Sequence, residues 1–162
     1  MMIRLLKCTL ALFVALFCIM YALQNVVNLQ AAYGFVALVA GMDGHVAYPN
    51  HFGPAITSPA LIWLMLWIII IGEFTAGLLA AKGALDMWKT RGADAATFNT
   101  SKKFGILGAG VAVLVWFGLF GAIGGPYFQM WQTEAGLNAV RDASQFGMLH
   151  GVIAIYLSMR DG

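Results

Sequence analysis

The sequence predicts an all-α, polytopic membrane protein: a bundle of four transmembrane helices with an outer segment that is interfacial or re-entrant. Of its 162 residues, 61% are apolar or aromatic and only 10% are Asp, Glu, Lys or Arg, whereas soluble domains average about 45–50% apolar and about 25% charged residues. Four apolar stretches are long enough, or nearly so, to cross about 30 Å of hydrocarbon. The basic residues also separate to one side of such an arrangement. The lipid bilayer is therefore the expected surrounding of the chain.

The same arithmetic excludes two other classes. The excess of apolar residues rules out an intrinsically disordered chain. A net charge of +2, from nine scattered bases and seven acids, gives no nucleic-acid-binding surface.

We expect the spans at about residues 5–27, 59–81, 104–124 and 143–159 of a single membrane domain, 1–162. The first follows a basic start, as a signal peptide would, but its apolar run is too long and no small-x-small cleavage site follows it. We therefore expect an uncleaved helix. Its two cysteines, Cys8 and Cys18, would lie about 15 Å apart along that helix, too far for a disulfide.

Charge placement predicts the orientation. With four spans, eight of the nine bases lie on one side, and only Arg141 lies opposite. Because basic residues mark the cytoplasmic face, we expect both termini and the loop 82–103 in the cytoplasm of a bacterial cell, with the protein in its inner membrane. Loops 28–58 and 125–142 would face outward.

Local signals mark the ends of the helices. Ser58 before Pro59 is typical of an N-cap followed by proline in the first turn. Asp94 is a candidate cap for a short interfacial helix, and Gly124-Gly125-Pro126 ends the third span. Residues 33–42 are apolar enough to lie in the interface or to dip into the membrane.

Small residues spaced four apart predict how the helices associate, because close packing drives helix association in lipid. The third span is richest in them and is expected at the centre of the bundle. The candidate packing positions are Gly105, Gly108, Ala112, Gly118, Gly121 and Gly125.

Three polar residues are candidates for intramembrane chemistry. Glu73 lies inside the second span, where a charged acid is costly unless it is paired, protonated or beside water. Its side chain either transfers a proton or contacts a ligand, or it forms a hydrogen bond that joins two helices. His150 lies at a similar depth by one count and either meets Glu73 or bonds within its own helix. Gln24 lies on one face with Asn28 at the outer end of the first helix.

Cofactor sites are weakly indicated. A bis-histidine haem needs two intramembrane histidines, and only one is present. A quinone site needs little more than one acid, one histidine and aromatic walls, and stays open. Asp43, His45 and His51 match no metal-site spacing. We expect no cofactor, no metal and no catalytic residue.

Several stretches along the chain carry a family resemblance: Ile3-Arg4-Leu5, residues 55–61, Glu73, residues 91–99 with the lysines after them, Trp116-Phe117, residues 123–132, and Asp161-Gly162. On these residues the chain resembles a bacterial family of predicted small integral membrane proteins of unknown function. The resemblance implies four spans and an inner-membrane location, and no activity, substrate or cofactor. His150 lies outside the resembling pattern.

Three functional classes follow. The first is a non-enzymatic subunit or accessory protein that assembles with itself or with a larger membrane complex; it is favoured because the loops are too short to hold an active site. The second is a small transporter or transport-system subunit that uses Glu73 and that would need an oligomer to enclose a pathway. The third is an electron-transfer anchor or quinone site.

Overall fold

The computed structural model describes residues 1–162, of which 79% are helical and none form strands. The all-helical class predicted by the sequence is therefore confirmed. The helices are α1 (Met2–Val27), α2 (Leu29–Gly41), α3 (Pro59–Thr90), α4 (Ala95–Ser101), α5 (Lys103–Val113), a π-helix (Leu114–Gly124), a short 3₁₀ helix (Met130–Gln132) and α6 (Glu134–Ser158).

Three helical stretches are long and apolar enough to cross a membrane: Met2–Val27, Pro59–Thr90 and Ala95–Gly124. At 32 residues, α3 is about 48 Å long and extends past the predicted end of its span. The stretch expected as the fourth span lies in α6, which is long enough but carries polar residues in its first half and is not among the three. A fourth crossing thus stays a prediction.

Local caps explain where several elements begin. The side chain of Asp94 accepts a hydrogen bond of 2.9 Å from the backbone nitrogen of Thr97 at the start of α4. Thr133 does the same for Gly136 at 3.2 Å, so α6 begins earlier than the hydropathy indicated. Ser58 occupies the N-cap of α3, but its side chain makes no capping hydrogen bond. The apolar segment after α1 forms α2, which packs against α3 and α1.

Helix α3 packs along α1 on one side and along α5 on the other, and α6 packs against α5 and the π-helix. The third span, made of α5 and the π-helix, thus contacts all three other long helices: α3, α6 and, less extensively, α1. Small residues permit the close contact between α3 and α5. A Cβ atom added at Gly83 would lie 2.0 Å from the backbone nitrogen of Gly105, and one added at Gly108 would lie 2.5 Å from that of Ala80.

The chain returns twice to the same end of the bundle. At what we call the basic end, Arg4 donates a hydrogen bond of 2.6 Å to the carbonyl oxygen of Ala93, and Lys7 contacts Asp161. At the opposite end, the backbone nitrogen of Tyr48 donates to the Gln132 side chain at 2.9 Å. The start of α1, the α3–α4 turn and the end of α6 therefore lie together, as an up-down-up-down bundle requires.

Candidate functional site

Glu73 lies between α3 and α1, where its side chain meets a polar partner. The residue is only 2% exposed, and Asn25 Nδ2 donates a hydrogen bond of 3.0 Å to its Oε2. The two helices are thereby joined by a polar contact within the apolar bundle. Such interhelical bonds are worth about 0.6 kcal/mol on average and up to about 1.7 kcal/mol in membrane proteins.

Gln24, the candidate chosen from the sequence, does not take part in this contact. Its side chain is exposed, and only its backbone carbonyl is used, accepting a hydrogen bond of 3.0 Å from Asn28. The neighbouring residue Asn25 is rotated about 100° around the helix axis and therefore faces α3.

His150 is buried in a different environment from Glu73, and no hydrogen bond joins the two residues. Its Nδ1 atom lies 2.6 Å from the carbonyl oxygen of Phe146, one turn earlier in α6. Its ring stacks on Trp116 with centroids 5.1 Å apart and planes 10° from parallel. The structure thus gives His150 a partner within its own helix, one of the two arrangements that the sequence left open.

An aromatic cluster fills the space between α1, the π-helix and α6. Phe17 contacts Trp116, Phe146 and His150 edge-on, with centroid separations of 5.2, 4.9 and 5.1 Å. Edge-to-face pairs of this kind contribute about 0.5–1.5 kcal/mol beyond the area they bury. Because Trp116 is carried by the π-helix, that helix sets the position of the ring on which His150 stacks.

The six predicted packing positions divide into two groups. Gly105, Gly108 and Ala112 are buried in the contact of α5 with its neighbours. Gly118 has no atom within 4 Å of an added Cβ, and those added at Gly121 and Gly125 meet only atoms of their own helix. Close packing through glycine is therefore seen in α5, whereas Gly118, Gly121 and Gly125 bring no other helix into close contact.

An apolar cavity of about 300 Å³ lies between α2, α3 and the π-helix, towards the end of the bundle opposite the basic end. Twelve of its 13 lining residues are hydrophobic, among them Val36, Met65 and Phe120, and the thirteenth is a glycine. A cavity lined in this way suits a hydrocarbon chain or an isoprenoid tail. Its side chains offer no hydrogen bond to a quinone head group.

No group of three or more potential metal ligands is brought together. His45 and His51 do approach each other in the loop after α2, with ring centroids 5.3 Å apart. Two imidazoles alone fall short of the three or four protein ligands of a zinc site.

The most polar cluster lies at the basic end and was not singled out from the sequence. Asp161 Oδ2 accepts a hydrogen bond from Lys7 Nζ at 2.7 Å and a second one from Lys102. Both lysine side chains are 2% exposed and that of Asp161 is 7% exposed. The Asn99 side chain accepts from the Asp161 backbone nitrogen and from Lys102, at 3.0 and 2.6 Å.

The electrostatics of this cluster favour an ionised carboxylate. Burial acts to raise the pKa of Asp161, but the hydrogen bonds from Lys102 and Lys7 outweigh it and hold that pKa below its ordinary value. The available signal was the resemblance pattern, which includes Asp161 and the lysines after Asn99. Bases near the ends of membrane spans are usually solvated, but Lys7 and Lys102 are buried against Asp161.

The fold and its apolar helices define a helical integral membrane protein. The chain belongs to the family described as predicted small integral membrane protein (DUF2165), whose family model matches residues 3–160. The resemblance drawn from the sequence is therefore confirmed at the level of the family. No curated protein and no solved structure matches the chain.

Proposed function

We propose that this membrane protein is a non-enzymatic subunit or accessory protein of a membrane assembly, either with copies of itself or with other chains. The observation that supports the proposal is the local pairing of the intramembrane polar groups. Glu73 is held by Asn25 across two helices, and His150 bonds to a carbonyl of its own helix. In this arrangement Glu73 joins α3 to α1 and His150 has its partner within α6, so the outer surface is the part left to contact other molecules.

The proposal includes a location: the inner membrane of a bacterial cell, crossed four times, with both termini and the segment 82–103 in the cytoplasm. The contact of Arg4 with Ala93 and that of Lys7 with Asp161 support an even number of crossings. Reporters fused at either terminus are expected to give the same cytoplasmic signal. Opposite signals would refute the four-span arrangement.

The test of the function is purification of the full chain from its native membrane in mild detergent, followed by cross-linking and identification of what co-purifies. We expect a defined complex of reproducible stoichiometry. A protein that is monomeric and free of partners in several mild detergents and in native nanodiscs would refute the proposal.

The alternative is a small transporter or transport-system subunit in which Glu73 is the titrating group. Its supporting observation is the 2% exposure of this acid within a predicted span, since intramembrane acids often mark proton or ion pathways. Glu73→Gln separates the two functions, because it keeps the shape of the side chain and removes the charge. Loss of the complex supports the structural role, whereas an intact complex with lost flux supports transport. Glu134→Gln makes the same chemical change at an exposed site and is the matched control.

A further inference from the structure

A second cavity, of about 290 Å³, lies at the basic end beside the cluster of Lys7, Lys102 and Asp161. It is formed by the first turns of α1 and by the segment that follows α6. Arg4, Lys7, Arg160 and Asp161 contribute charged groups to its lining, and Ile3 and Tyr156 contribute apolar surface. It is separate from the apolar cavity near α2 and independent of the proposed assembly role.

The charge around this cavity is unbalanced. Asp161 is the one carboxylate side chain in the lining, and it is shared by Lys7 and Lys102. The Arg4 guanidinium donates to backbone oxygen atoms of Arg91, Ala93 and Gly162 and to no carboxylate side chain.

Arg160 is exposed and takes part in none of the ion pairs of the structure. Three cationic side chains of the lining, Arg4, Lys7 and Arg160, surround this one carboxylate side chain, which leaves a net positive potential that attracts an anion. Two guanidinium groups are well suited to a phosphate, which they bind with paired, charge-assisted hydrogen bonds.

The surroundings favour a lipid as the source of that phosphate. Met2, Ile3 and Leu6 are exposed apolar residues on the first turns of α1, next to the cavity. At this end of a membrane-crossing helix, such residues lie at the level where head groups meet acyl chains. Basic pockets between membrane helices are known to hold anionic head groups.

We propose that this pocket binds the phosphate head group of an anionic phospholipid in the leaflet at the basic end. Arg4 and Arg160 bind the phosphate, Lys7 supplies further positive charge from beneath, and the acyl chains lie along the apolar start of α1. Because the attraction is electrostatic and the site faces water, affinity falls as the salt concentration rises.

The experiment uses the full chain in nanodiscs of phosphatidylcholine with or without phosphatidylglycerol, and measures bound lipid by native mass spectrometry after transfer to detergent. We expect retention of phosphatidylglycerol over phosphatidylcholine. Arg160→Gln is expected to weaken that retention about fivefold, the effect of one basic residue near an anionic surface. Arg160→Lys keeps the charge but loses the paired hydrogen bonds, so its retention should fall between those of the native chain and Arg160→Gln.

Arg141→Gln is the matched control, because Arg141 is also exposed but lies towards the opposite end of the bundle. Gel filtration of each variant checks that it folds. Equal retention of the two lipids, or equal losses in Arg160→Gln and Arg141→Gln, would overturn the proposal. Displacement of the lipid by excess inorganic phosphate would also overturn it, by assigning the pocket to a soluble phosphate.

Discussion

The substitution Asp161→Asn removes the carboxylate that contacts two buried ammonium groups, those of Lys7 and Lys102. Removing one partner of a buried ion pair costs about 3–5 kcal/mol. Both lysines keep other acceptors: Lys7 keeps the carbonyl oxygen of Met159 and Lys102 keeps the side-chain oxygen of Asn99, each at 2.6 Å. The expected loss is therefore at the lower end of the range, about 3 kcal/mol.

For a chain of this size, each 1 kcal/mol lowers the melting midpoint by about 2–4 °C, so Asp161→Asn should lower it by about 6–12 °C. The assay is thermal unfolding in detergent, followed by size-exclusion chromatography with fluorescence detection. Asp142→Asn is the control, because Asp142 is exposed and forms no ion pair. Adding Lys102→Met to Asp161→Asn should recover part of the loss, since one unpaired ammonium group is removed. Equal midpoints for Asp161→Asn and Asp142→Asn would refute the reasoning.

Three further predictions concern other contacts. The pKa of Asp161 is lower in the folded chain than its ordinary value of 3.8. The stabilisation that its carboxylate provides is therefore complete above pH 3.8 and is lost as the pH falls through the folded pKa. The difference in melting midpoint between the native chain and Asp161→Asn should shrink in acid, and a constant difference would contradict this. Gly108→Leu would force side-chain atoms into the backbone of α3 and should cost about 3 kcal/mol or more, whereas Gly118→Leu, with open space around it, should elute and melt like the native chain. Asn25→Leu removes the hydrogen-bond donor to Glu73 and should lower the stability by about 0.6–1.7 kcal/mol. Gln24→Leu should lower the melting midpoint less, and a larger effect of Gln24→Leu would contradict the contact between Asn25 and Glu73.

The helices themselves were predictable from the sequence, because the length of an apolar run and its flanking breakers decide whether a helix forms in lipid. Asp94 was predictable as an N-cap because a capping side chain acts on the backbone only three residues further along. The start of α6 was not predicted, because its N-cap Thr133 lies in a polar stretch, which a hydropathy pattern does not identify as part of a span.

The candidate sites were predicted less completely. Glu73 is buried and hydrogen-bonded to Asn25. Whether Gln24 or Asn25 faces α3 depends on the rotation of α1, which only packing fixes. The pairing of Lys7 with Asp161 joins residues 154 positions apart, so no local pattern reveals it. The charge pattern that predicted the topology assumes solvated bases, and two of them are in fact buried.

The π-helix over Leu114–Gly124 has a consequence for changes in chain length. Its backbone hydrogen bonds join residues that are five apart rather than four, so each turn contains more residues than a turn of an α-helix. A one-residue deletion there can be absorbed by tightening to the α-helical repeat, while the glycine contact of α5 upstream keeps its register. A deletion of the same size within α5 would instead rotate the two parts of that helix by about 100° relative to each other and break the register of this contact. Natural insertions and deletions in this half of the chain should therefore cluster in the wider helix.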